Sequence, residues 1–419
     1  MNRRTLSLTP ALLLLLVTGC GGDGFTSETV QVGAVYPFSG DSADVGAEIQ
    51  QGLELARDII NGEHPELDLP LAPGRGLPGL DGAPLQVLYA DTGGTPGGAR
   101  EAARSVIGST VALLGAYQSV ATASASEVAE TAGLPFLNPE STDPSLTERG
   151  YAWFFRTTPD DRTFVTNAFA FITDLNAERD AGLARLAVVH EGTGFGRGFM
   201  NLVEEGAPQY GLELVGEVVA DGLPDNVPAG VAAVRAAEPD VVLFAVYEED
   251  AVRYMQEFKR QDYAPPLIWA NDAGFVSPAF QERLGADAAY VTSREVWSAA
   301  LTQTNPLAAE VNDLYRARYG TDLNGNSARA FIGLLTLAEA IDRAASTEPD
   351  AIRAALTETH IPAEQLIVPW QGVRFDSSGQ NTLGDGIVVQ MFEDGYAVVW
   401  PHALALEPVV FPFPAWGAR

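Results

Sequence analysis

From Val30 onward the chain repeats one rhythm: a short apolar or β-branched run, a polar or glycine-bearing turn, then a stretch with apolar residues at helical spacing. Residues 30–37 form the first run and end in Phe38-Ser39-Gly40-Asp41. Residues 48–61 follow, with Ile49, Leu53, Ala56 and Ile60 on one stripe. Strand signals return at 85–90, 111–116 and 135–138, with helical signals at 98–108 and 119–133. Strands separated by helices have to run parallel, because only a crossover long enough to hold a helix returns the chain to the same end of a sheet. The pattern therefore predicts an α/β fold with a parallel sheet.

The rhythm restarts after Thr157-Thr158-Pro159, with helices at 167–175, 198–210, 227–237 and 251–261 and strands at 186–190, 213–219, 240–246 and 266–270. This is a second unit of the same design, so two Rossmann-like lobes are expected. Helical stretches at 306–319, 328–345 and 349–357 have no strands between them, and strand-like segments at 372–375 and 386–392 come after. Helices without strands must cover a sheet that already exists. We expect lobe 1 to comprise 30–158 and 296–371, and lobe 2 to comprise 159–295 and 372–419. A chain that crosses several times between lobes makes a hinge and a cleft. Residues 64–83, rich in Pro, Gly and Leu, break the rhythm and read as a surface loop.

The chain begins Met1-Asn2-Arg3-Arg4, followed by a Leu-rich run over 11–17 and then Thr18-Gly19-Cys20. A basic start, a short apolar core and small residues before a cleavage point are the parts of a secretory leader. The run is far shorter than the ~20 residues a membrane-spanning helix needs. Val17-Thr18-Gly19-Cys20 resembles a bacterial lipobox, which implies cleavage before Cys20 and lipidation of its sulfur. Residues 1–19 then form the signal peptide and 20–29 a flexible tether. The mature protein is expected outside the cytoplasm, on the periplasmic side, anchored to a membrane by its lipid.

Composition narrows the function classes. The 419 residues carry 25 basic and 55 acidic side chains, a net charge of −30, which argues against nucleic acid as a partner. Cys20 is the only cysteine, so neither an internal disulfide nor a Cys-rich zinc site is possible. The histidines, His64, His190, His360 and His402, are dispersed without metal-ligand spacing, and no metal or other cofactor is expected. Gly192-Thr193-Gly194-Phe195-Gly196-Arg197-Gly198 follows a strand signal, but Arg197 and Phe199 stand where a dinucleotide fingerprint needs its last glycine. It reads as a strand-to-helix turn. With no nucleophile–base set either, the chain is not expected to be an enzyme.

The polar residues of interest lie just after strand signals, where open α/β sheets bind ligands. Tyr117-Gln118-Ser119 follows 111–116 and opens a helix, whose free N–H groups suit an anion; Ser119 reads as a helix cap or a carboxylate ligand. Pro139-Glu140-Ser141-Thr142 follows 135–138, and Asn271-Asp272 follows 266–270; alone, Asp272 reads as a turn residue or as the partner of a cation.

These segments, in order, resemble the leucine/isoleucine/valine-binding type of extracytoplasmic solute-binding protein, with the type I periplasmic-binding fold. The resemblance runs from about Val30 to Tyr396 and rests on Val32-Gly33-Ala34-Val35-Tyr36-Pro37-Phe38-Ser39-Gly40, Tyr89-Ala90-Asp91-Thr92, Leu114-Gly115-Ala116-Tyr117-Gln118-Ser119 and Pro135-Phe136-Leu137-Asn138-Pro139-Glu140-Ser141-Thr142. It implies that Ser119 binds a carboxylate, that Thr142 touches carboxylate and ammonium, and that Asp272 pairs the ammonium. It also implies that Tyr247 and Phe195 close over the ligand, with Gln118 and Glu140 beside it. Glu140 stands where the family usually has a small residue, Val45 replaces an aromatic, and the family's usual first-lobe disulfide is absent. The expected function is capture of a small zwitterion, an amino acid or related amide, for hand-over to the permease and ATPase subunits of an ABC importer. The alternative is a sensory module of the same fold with a separate signalling partner.

Overall fold

The computed structural model describes residues 28–419, so the leader, Cys20 and most of the tether lie outside the described residues. The first sheet is built from β1 (Val30–Tyr36), β2 (Leu85–Asp91), β3 (Leu113–Gly115), β4 (Phe136–Asn138) and β5 (Phe154–Arg156) in the order β2-β1-β3-β4-β5. All of its pairings are parallel. β1 is apolar on both faces because helices cover both: Val32 and Ala34 pack in one core and Val35 in another. The helices are α1 (Ala43–Asn61), α2 (Pro96–Val106) and α3 (Ser119–Ala132).

The second sheet has seven strands. β6 (Arg185–Glu191), β7 (Glu213–Ala220), β8 (Val241–Ala245), β9 (Leu267–Ala270) and β10 (Thr292–Glu295) run parallel, and β13 (Ile387–Phe392) and β14 (Gly395–Trp400) add an antiparallel edge. The order is β14-β13-β10-β9-β8-β6-β7. Helices α4 (Asp161–Arg179), α5 (Gly194–Gly206), α6 (Val227–Ala236), α7 (Glu248–Arg260) and α8 (Pro278–Leu284) link and cover its strands. Helices α9 (Pro306–Tyr319), α10 (Gly325–Ala344) and α11 (Pro349–Thr357) come after β10, and a two-stranded ribbon of β11 (Ile361–Pro362) and β12 (Gly372–Val373) lies between α11 and β13. The protein thus has two α/β lobes, each around its own sheet.

α10 runs through the core of the first lobe. It is buried nearly all round, as its apolar run Ala330–Leu335 demands, and it lies against α1. The approach is close enough that a Cβ on Gly52 would meet the Ser327 carbonyl oxygen at 2.2 Å. Its start is set by a capping box between Asn324 and Ser327. Residues 64–83 form an irregular segment with Pro65, Glu66, Asp68, Pro73 and Arg75 exposed, as a surface loop should have, but it is anchored from within. Leu67, Leu69, Ala72 and Leu77 are buried in the first lobe's core, and Gly79 N–H donates to Asp342 Oδ1 at 2.6 Å. The leucines, not the glycines and prolines, decide where this segment goes.

Candidate functional site

The carboxyl ends of both sheets face one cleft. Ser119 follows β3 and Glu140, Ser141 and Thr142 follow β4, all in lobe 1; Phe195 follows β6, Tyr247 follows β8 and Asp272 follows β9, all in lobe 2. Every one of these residues lines a single cavity of about 20 Å³, enough for roughly one water. Of the residues singled out in the sequence, Gln118 is not on the cavity wall. It is the residue before α3, and its Nε2 donates to Ser42 Oγ at 3.0 Å. Among the described residues no side chain caps α3, and Ser119 is its first residue, not its cap. The Tyr247 hydroxyl comes close to the Ser119 N–H from the other lobe.

The loop that carries Thr142 is held from behind. Ser141 Oγ lies 2.5 Å from Thr122 Oγ1 and donates to the Ala116 carbonyl at 2.9 Å. The fully buried Arg156 donates to the carbonyls of Ser141 (3.2 Å) and Asp143 (2.7 Å) and to Gln380 Oε1 (2.6 Å). Such a loop cannot drift from its place without breaking charge-assisted bonds in a dry environment.

Asp272 is not the lone negative group that a simple ammonium site suggests. Its Oδ2 accepts from Arg294 Nη1 at 2.6 Å and from Arg329 Nη1 at 2.8 Å. Arg294, on β10, also donates to Asn271 Oδ1 at 3.0 Å, and its guanidinium lies over the Phe164 ring at 3.9 Å. Arg329, on α10, donates through Nε to Glu140 Oε2 at 2.7 Å and through Nη2 to Asn326 Oδ1 at 2.8 Å. Both arginines line the cavity, and neither was singled out in the sequence. For Arg329 the available signal was a charge inside an apolar run, between Ala328 and Ala330; Arg294, between Ser293 and Glu295, offered none.

The charges do not balance within this cluster. Glu140, Asp272, Glu295 and Asp161 face Arg294 and Arg329, all of them buried. Burial pushes Glu140 and Glu295 up to about 7 and Asp161 up to about 6, and the Asp272 charge adds to the rise at Glu140 and Glu295. Burial also opposes the Arg329 charge, but Asp272, Glu140 and Glu295 around it hold its pKa well above the ordinary arginine value. Two oxygens on the cavity wall, Glu140 Oε1 and Asp272 Oδ1, have no hydrogen-bond partner among the described residues. Buried acceptors left unmade are costly and want a donor.

Glycines let the lobes meet. A Cβ on Gly194 would stand 2.4 Å from Asp143 Oδ2 of the facing lobe, and one on Gly198 3.3 Å from Asp143 Oδ1. The glycine run at 192–198 is a strand-to-helix turn that another lobe packs against.

The family model described as periplasmic binding protein matches residues 29–395. The chain belongs to the periplasmic binding protein family. Among curated relatives of this binding protein, Leu/Ile/Val-binding protein homolog 7 of Brucella melitensis is 26% identical over 420 residues, covering 98% of this chain and 100% of the relative. Among solved structures, the leucine-binding protein LivK of Thermotoga maritima superposes with a TM-score of 0.74 at 18% identity, covering 88% of this chain and 97% of LivK. LivJ of Streptococcus pneumoniae, solved in complex with isoleucine, gives 0.72 at 20% identity, covering 89% and 100%. At such identities the structural likeness speaks for the fold.

Proposed function

We propose that the protein is an extracytoplasmic solute-binding protein that captures a small amino acid or related amide between its lobes and delivers it to the permease and ATPase of an ABC importer. The observation that carries this reading is the cleft itself. One side offers the uncapped start of α3, and the walls offer the partnerless oxygens Glu140 Oε1 and Asp272 Oδ1. A zwitterion supplies what each lacks. Its carboxylate takes the Ser119 hydroxyl, Thr142 and helix N–H groups; its ammonium donates to Asp272 and Glu140. Phe195 and Tyr247, ring centroids 5.4 Å apart, form the lid from the second lobe. The names of its curated relatives, Leu/Ile/Val-binding protein homologues, point to the same ligand class.

In this reading segments 30–158 and 296–371 move as one body and 159–295 with 372–419 as the other. Because Ser119, Thr142 and Glu140 sit on one body and Asp272 on the other, only the closed form makes every contact to the solute, and that differential affinity drives closure. Cleavage before Cys20 and its lipidation hold the mature protein at a membrane. The test is a thermal-shift screen of the mature chain against amino acids and small amides, followed by calorimetry. A solute at about 100 times its Kd stabilises by about 2.7 kcal/mol, and the melting temperature rises accordingly. A screen in which no amino acid or amide raises the melting temperature would refute the ligand class.

A further inference from the structure

Glu140 stands where the family usually has a small residue, and the fold sets a buried arginine against it: Arg329 Nε donates to Glu140 Oε2 at 2.7 Å. The same guanidinium donates through Nη1 to Asp272 Oδ2 at 2.8 Å. Two nitrogens bonded to one carbon hold the two carboxylates, so these stand side by side, one from each lobe. Each keeps one oxygen, Glu140 Oε1 and Asp272 Oδ1, without a partner among the described residues, and both residues line the cavity.

Charge points the same way, since a buried charge has to be paired. Around Arg294 and Arg329 stand Glu140, Asp272, Glu295 and Asp161, all buried. The partly buried Glu48 joins them through Asn326, whose Nδ2 donates to Glu48 Oε2 at 2.9 Å. The next buried cation, Arg156, is engaged elsewhere, with Asp160 at 3.5 Å and with backbone carbonyls. Carboxylates thus outnumber guanidinium groups. One ammonium shared by the two free oxygens completes their hydrogen bonds but leaves this excess as it was, because a zwitterion adds as much negative charge as positive.

We propose that the solute is a diamino acid: its α-ammonium takes Asp272 Oδ1, and a second ammonium on a short side chain takes Glu140 Oε1. Glu140 is thereby a specificity-determining residue. It sets this cleft apart from one made for an apolar side chain, which would leave a buried carboxylate oxygen without a donor. The spacer between the two nitrogens has to be short, because one guanidinium holds both carboxylates. The net charge of −30 on the whole chain favours the approach of a cationic solute. This inference rests on the proposed function and narrows it, dividing between two cations the oxygens given there to one.

Calorimetry on the mature chain, with L-2,4-diaminobutyrate, L-ornithine, L-lysine, L-leucine and L-glutamine as probes, tests it. At least one diamino acid is expected to bind about tenfold or more tighter than L-leucine and L-glutamine, a difference of about 1.4 kcal/mol. Glu140→Gln keeps the shape and removes the charge, and it should lower the ratio of diamino acid to L-leucine affinity by about tenfold or more. If that variant does not fold, the wild type still decides. In buffers of different ionisation heat at a pH of about 6.5, the diamino acid should release more protons than L-leucine, since a cation against Glu140 expels the proton that burial holds there. L-Leucine or L-glutamine binding as tightly as every diamino acid overturns the inference and leaves the proposed function standing. An affinity ratio unchanged in Glu140→Gln, or equal proton release, also overturns it. Absence of binding by all of these amino acids refutes the proposed ligand class and this inference with it.

Discussion

Replacing Asp272 by Asn removes one charge and keeps the shape. In the wild type, Oδ2 accepts from two guanidinium groups at 2.6 and 2.8 Å, with Asp272 4% exposed and Arg294 and Arg329 3% and 2% exposed. Breaking a buried ion pair from one side costs about 3–5 kcal/mol, since the surviving charge stays dry and uncompensated. Arg329 retains Glu140 at 2.7 Å, so the larger loss falls on Arg294, inside lobe 2. For a lobe of this size each kcal/mol lowers the melting temperature by about 2–4 °C, which places the drop at roughly 6–20 °C. Thermal unfolding of the solute-free mature chain measures the drop and urea unfolding the free energy, with Arg329→Gln and the double variant completing a cycle. The Asp272–Arg329 coupling should lie between about 0.5 and 3 kcal/mol. Where an amino acid binds, its affinity should fall by about two orders of magnitude or more, at ~1.4 kcal/mol per decade. A stability loss under about 1 kcal/mol would refute the reasoning, because it would mean that water reaches these groups and screens them.

Burial raises Glu140 and Glu295 to about 7 in the folded chain, so as pH climbs from about 4.5 to about 7 the unfolded chain gives up these protons first and the folded state loses stability. Urea midpoints attributable to this cluster should therefore fall over that window, and Glu140→Gln should flatten the fall; an unchanged slope in Glu140→Gln would exclude Glu140 as a contributor. Gly194→Val brings a side chain against Asp143 of the facing lobe, and overpacking of about 1–3 kcal/mol should weaken solute binding by roughly 5- to 150-fold while the melting temperature without solute stays near wild type. Equal affinity in calorimetry would show that closure leaves more room at this turn. Cys20→Ser should release the exported protein from the membrane fraction, and an unchanged fraction on cell fractionation would contradict the anchor.

The sequence makes the alternation of strands and helices plain, because apolar periodicity is a local property. The endings of elements are less legible. The pattern places the first helix at 48–61, whereas α1 begins at Ala43. Gly46 looks like a helix breaker, yet it is where α1 passes the end of β1: a Cβ there would stand 2.1 Å from the Pro37 carbonyl oxygen. At the cleft, Ser119, Thr142 and Asp272 stand out because each follows a strand, and topology alone brings strand ends together. The two arginines do not stand out. Their role depends on which carboxylates the fold sets opposite them, and Arg329 and Asp272 are separated by 57 positions in the chain. Glu140 is an intermediate case: its type signals a charge near the site, while its partner is known only once α10 is seen beside β4.

Arg156 ties the pivot to the grip. One guanidinium fastens the backbone on which Thr142 rides to Gln380, just ahead of the chain's last passage into the seven-stranded sheet. If Thr142 touches the solute as proposed, turning of one half against the other is geared to the loop that holds the cargo, and a change at this distant axle alters how firmly cargo is held without meeting it.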